Sequence, residues 1–61
     1  MCEANAYITR DGEEELVMES VDKIEPENDG LRLVNIFGDQ KFMRVHIHAL
    51  SFSNHKILLK E

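Results

Sequence analysis

One cysteine, one proline and no tryptophan stand among the 61 residues. The single thiol, Cys2, excludes an intramolecular disulfide. Within one subunit it also excludes structural zinc sites built on two or four cysteines. A chain this short buries only about 60% of the surface it exposes when unfolded. Domains of this size usually add a disulfide, a metal or a second subunit. With the disulfide gone, a sparse metal site or oligomerisation is left. No apolar stretch approaches the roughly 18 residues of a membrane span, and residues 1–15 lack the basic start and apolar core of a secretion signal. The expectation is a soluble, cytoplasmic protein with no membrane partner. Catalytic constellations are missing too. Neither Cys2 nor any serine stands in a spacing that pairs it with a histidine and a third, orienting group. Gly12, Gly30 and Gly38 each fall in a turn signal and make no phosphate loop. A binding module, not an enzyme, is the expectation.

Basic charge is scarce, and the net charge is −5. Nine acids lie between Asp11 and Asp29 against Lys23 alone; from Gly30 onward Arg32, Lys41, Arg44, Lys56 and Lys60 face Asp39 and Glu61. Neighbouring strands exchanging opposite charges explain this asymmetry most simply. Five dispersed cations on an acidic chain make a poor footprint for nucleic acid, so a nucleic-acid partner is disfavoured.

What the sequence does hold is a series of short β-forming runs closed by turn signals. Cys2 to Thr9 alternates, with Cys2, Ala4, Ala6 and Ile8 on one face and Glu3, Asn5, Tyr7 and Thr9 on the other. Arg10-Asp11-Gly12 reads as a hairpin turn. Glu14 to Glu19 follows as a strand, although Glu13-Glu14-Glu15 would also open a helix over residues 13–23; β-branched Val17 and Val21 favour the strand. Val21 to Glu27 is a further run, whose Pro26 points to a sheet edge or a bend. Asn28-Asp29-Gly30 is the clearest turn. Leu31 to Phe37, Gln40 to Arg44, Ala49 to Ser53 and Lys56 to Lys60 complete the set, with Val45 to His48 ambiguous. Six or seven short strands with turns at this spacing predict one all-β domain over residues 1–61, a small SH3-like barrel of short antiparallel strands. Closure or half-closure would remove sheet edges that so small a chain has little means to cover.

Three places could carry metal chemistry. His46 and His48 are two apart, so a regular strand would point both imidazoles the same way, as a two-donor site requires. His55 sits at a predicted turn tip. Cys2 is the most telling: a buried structural cysteine is ordinary mid-chain but not at position 2, where ends fray. If Met1 is removed, the amine, the thiolate and the next backbone nitrogen of Cys2 can close chelate rings around one ion. Planar nitrogen donors with a soft thiolate favour Ni(II) or Cu(II) over the tetrahedral preference of zinc. A two-fold dimer would bring two Cys2 thiolates to one axis.

Taken together, Met1-Cys2, the run Glu3-Ala4-Asn5-Ala6-Tyr7-Ile8, the hairpin at Asp11-Gly12 and a length of about 60 residues resemble the CooT family. These are small nickel-binding accessory proteins linked to carbon monoxide dehydrogenase maturation. The resemblance implies an SH3-like homodimer that binds Ni(II) through Cys2 at the dimer interface. It also implies carbon monoxide dehydrogenase or its maturation proteins as partners. His46, His48 and His55 match no motif of the family and receive no role from it. Two other readings remain at this level. One is an RNA-binding barrel with Tyr7 or Phe42 as a stacking platform and Arg32, Lys41 and Arg44 on the backbone. The other is a protein-interaction module whose cysteine is incidental.

Overall fold

Asp11 and Gly12 both have positive φ, 52° and 79°. They form a two-residue turn across which Arg10 pairs with Glu13. Positive φ at both central residues matches the right-handed twist of the flanking strands, the type I′ geometry that a glycine permits without strain. The structure, a computed structural model, describes residues 4–61. It contains six strands: β1 (Ala4–Arg10), β2 (Glu13–Glu27), β3 (Gly30–Asn35), β4 (Gln40–Met43), β5 (His46–Ser51) and β6 (Lys56–Lys60). No helix occurs among the described residues, so the run 13–23 is strand, as its β-branched valines predict. Nor is any helix long and apolar enough to cross a membrane.

The strands form one sheet in the order β4-β3-β2-β1-β6-β5. The all-β, barrel-like class expected from the sequence holds, with three differences of detail. The sheet is not closed, because β4 and β5 remain unpaired edges, and its principal extents of 30 × 29 × 14 Å are those of a flattened, curled shell. Terminal strands β1 and β6 run parallel, from Asn5 opposite Lys56 to Ile8 opposite Leu59; the other pairings are antiparallel. And the two runs 14–19 and 21–27 are halves of one fifteen-residue strand.

That long strand turns a corner. Ser20 has φ 54°, a left-handed conformation rare for a residue with a side chain. Before the corner β2 pairs with β1; after it, with β3; Val21 faces Ala4 on one side and Asn35 on the other. The bend is held from outside the strand. The Ser20 N–H donates to the Asn5 side-chain oxygen at 3.1 Å, and the Ser20 carbonyl accepts the N–H of Ile36 at 3.0 Å. Pro26 lies past the corner, where among the described residues β2 has β3 on one side and no strand on the other, the setting in which a missing N–H costs least.

Folding the sheet at Ser20 lets its inner face close on itself. Ala6, Ile8, Val21, Leu33, Val45, Ile57 and Leu59 form the buried core, with Ile8, Leu33 and Leu59 fully enclosed. Ala6 and Ile8 are buried while their neighbours Asn5, Tyr7 and Thr9 are only partly so, which is the period-two alternation of β1. Gly30 is fixed by crowding: a Cβ there would stand 2.3 Å from the Met43 carbonyl oxygen and 2.8 Å from the Phe42 ring.

Candidate metal centre and the adjoining groove

Cys2, the residue on which the metal reading turns, lies outside the described residues. Ala4, the first described residue, follows it by two positions in the sequence. Ala4 begins β1 at the rim of an apolar groove of about 400 Å³. Val21 and Ile24 of β2 form one wall, and Leu50 of β5, Phe52 and Ile57 of β6 form the other. The groove opens between the second half of β2 and the β5–β6 hairpin. Two of its lining side chains are unusually bare for apolar groups, Leu50 at 51% and Phe52 at 85% exposure. Both went unremarked in the sequence, because two apolar residues flanking Ser51 in an alternating strand read as core.

Asn5 ties this corner together. Its N–H donates to the His55 carbonyl at 2.9 Å, and its side-chain oxygen accepts from Ser20 at 3.1 Å. The start of β1 is thereby bonded both to the turn before β6 and to the bend of β2. Lys56 adds a polar bridge beside the groove: its ammonium is 2.9 Å from Glu14 and 4.9 Å from the centre of the Tyr7 ring. The hydrogen bond and charge of Glu14 raise the Lys56 pKa above the ordinary lysine value, against a smaller opposing effect of burial.

The histidines do not assemble into a site. All three are exposed. β5 carries an irregularity between Ile47 and Ala49, so His46 pairs with Lys60 while His48 has no register partner. A bulge breaks strict alternation, and with it the reason for placing His46 and His48 on one face. His55, in the predicted turn, has φ 52° and lines the groove beside Ala4. Among the described residues no group of three or more His, Cys, Asp or Glu side chains is placed to hold a metal ion.

Tyr7, Arg32 and Arg44, three of the groups that an RNA platform would use, are engaged within the chain. Lys56 already covers Tyr7. Arg32 is bidentate to Glu27, with Nε 3.0 Å from Oε2 and Nη2 on Oε1. Arg32 holds the Glu27 carboxyl below the usual carboxylate range, chiefly through that hydrogen bond. Arg44 lies 3.8 Å from Asp29.

Comparison with known proteins agrees with the resemblance drawn from Met1-Cys2 and the β1 run. The family model described as CooT, CO dehydrogenase accessory protein, matches residues 1–60. The crystal structure of a protein assigned as CooT from Carboxydothermus hydrogenoformans superposes with a TM-score of 0.93 at 45% sequence identity. That match covers 98% of this chain and 97% of the other. No protein in the curated set matches. A family match along nearly the whole length, joined to the same fold at this identity, settles the assignment: the chain belongs to the CooT family of carbon monoxide dehydrogenase accessory proteins.

Proposed function

We propose that the protein is a homodimeric Ni(II)-binding accessory factor, a cytoplasmic metallochaperone or nickel store for carbon monoxide dehydrogenase maturation. The metal is held by Cys2 at the dimer interface. The observation that carries this reading is the position of Ala4 at the rim of the apolar groove. A second copy covering Leu50 and Phe52 would complete a core that is marginal for so short a chain. Such a copy would do so beside Ala4, which follows Cys2 by two positions in the sequence. A two-fold axis there brings two thiolates to one ion, with backbone nitrogens, or the amine if Met1 is removed, as the remaining donors. Nickel is the cargo, and the protein contributes ligands rather than catalysis.

The test is metal stoichiometry. Titration with Ni(II), followed by thiolate charge-transfer absorption, should give one ion per two chains, and Cys2→Ser should abolish tight binding while leaving the sheet folded. Thiolate ligands must lose protons, so affinity should fall as the pH drops below neutral. The double variant His46→Ala with His48→Ala should bind as wild type does. One ion per chain with no dependence on Cys2 would refute the proposal.

A further inference from the structure

A second exposed apolar surface lies on the other side of the Ser20 bend. Here Leu16 of β2 and Phe37 stand exposed along a groove of about 490 Å³, which Val17 and Met18, packed against the core, also line. Phe37 is 75% exposed and Leu16 47%. The aromatic ring is presented from a well-bonded turn. The buried Asn35 side-chain oxygen accepts the N–H of Phe37 at 3.0 Å and that of Asp39 at 2.9 Å. Its amide donates to Asp39 at 3.3 Å. Holding a bare aromatic side chain on an ordered turn keeps apolar surface in water with no return from the chain's own packing.

Charge says what kind of molecule would cover it. Two carboxylates, Glu19 and Asp39, line the groove, and no cation does. Neither is in an ion pair among the described residues, whereas Glu14 and Glu15, earlier on β2, are matched by Lys56 and Arg10. A groove of mixed polarity, with Phe37 and Leu16 exposed beside two carboxylates outside any ion pair among the described residues, suits an apolar side chain flanked by cations, and it repels nucleic acid. We propose that this groove docks a basic segment of a partner protein, an apolar side chain lying against Phe37 and Leu16 and flanking Lys or Arg side chains meeting Glu19 and Asp39. The inference rests on this face alone and is independent of the metal reading.

The experiment uses the metal-free full chain carrying Cys2→Ser, so that the nickel reading has no bearing on its result. Amide shifts are followed by ¹⁵N NMR while the chain is titrated with the blocked peptide Arg-Leu-Arg-Leu-Arg, and separately with Glu-Leu-Glu-Leu-Glu. The basic peptide should saturate, with shifts confined to residues 16–19 and 35–39, and should weaken several-fold between about 0.05 M and about 0.5 M salt. Phe37→Ala removes a side chain that is mostly in water, so the fold should persist while the basic peptide binds about tenfold more weakly. Glu19→Gln should weaken it about threefold at low salt. Equal binding of the two peptides, shifts centred elsewhere, indifference to Phe37→Ala or absence of saturable binding would each overturn the proposal. So would groove shifts that grow with protein concentration alone, which would identify a second copy as the occupant.

Discussion

Replacing Phe52 by alanine separates folding from dimerisation. The side chain is 85% exposed in the isolated chain, so its loss should scarcely change the stability of the monomer. In a dimer formed across the groove it would be buried, and fully burying a phenylalanine is worth about 1.5–3 kcal/mol. A two-fold interface contains the residue twice, so truncation should cost the dimer roughly 3–6 kcal/mol. Part of that is returned, because two side chains no longer have to be ordered. At about 1.4 kcal/mol per factor of ten, the dissociation constant should rise roughly a hundred-fold to several thousand-fold. Sedimentation velocity over a concentration series reads this directly, and far-ultraviolet circular dichroism checks that the sheet is intact. Nickel stoichiometry should fall with the dimer even though Cys2 is untouched. An unchanged dissociation constant in Phe52→Ala would refute the placement of the interface, and a wild-type chain that stays monomeric with and without nickel would refute the dimer itself.

Gly30→Ala should destabilise the chain by about 1–3 kcal/mol, because the new methyl meets a backbone carbonyl that cannot swing aside. Thermal unfolding should show this as a fall of several degrees in Tm, and an unchanged Tm would mean that β3 and β4 can separate at no cost. Asn5→Ala should cost about 1–3 kcal/mol by leaving the Ser20 N–H without its acceptor; urea unfolding measures it, and a neutral result would show that water replaces the side chain. The Glu27 carboxyl is held low by Arg32, so the stability it contributes is present above the ordinary carboxylate pKa and is lost as the pH falls through its lowered value. Glu27→Gln should therefore differ most from wild type above about pH 5 and converge with it in acid, a pattern that melting curves from neutral to acid pH would show or exclude.

Local signals in the sequence were legible and long-range ones were not. Asp11-Gly12 announces its turn because only a few residue types accept positive φ twice in succession. The alternation of Ala4, Ala6 and Ile8 announces a half-buried strand, and Val17 and Val21 speak for strand over helix. The corner at Ser20 is invisible locally, since its acceptor Asn5 is fifteen residues away and serine is an ordinary turn former. Read locally, Ser20 divides two strands; in the fold it bends one. The parallel pairing of β1 with β6 joins opposite ends of the sequence, which no short window can see. The irregularity before Ala49 is equally hidden from a local reading, and it removes the strict alternation that would set His46 and His48 on one face. Cys2 stood out by scarcity and position, and by the resemblance of its surroundings to CooT.

The apolar groove and the start of β1 belong to one arrangement. A closed barrel would pair β4 with β5 and bury its own edges; here the sheet stays open, and the groove beside Leu50 and Phe52, lined from β1, β2, β5 and β6, is apolar and uncovered. Beside that groove Asn5 is bonded through its N–H to the turn before β6 and through its side chain to the bend of β2. Bonds to two elements from one residue fix where β1 begins. The sequence carries its only thiol three residues before that anchor. A metal held there would be shared by whatever covers the groove, and the apolar surface that needs covering is the surface nearest the anchor. Metal affinity and subunit association would then be one equilibrium, each strengthening the other by the same factor.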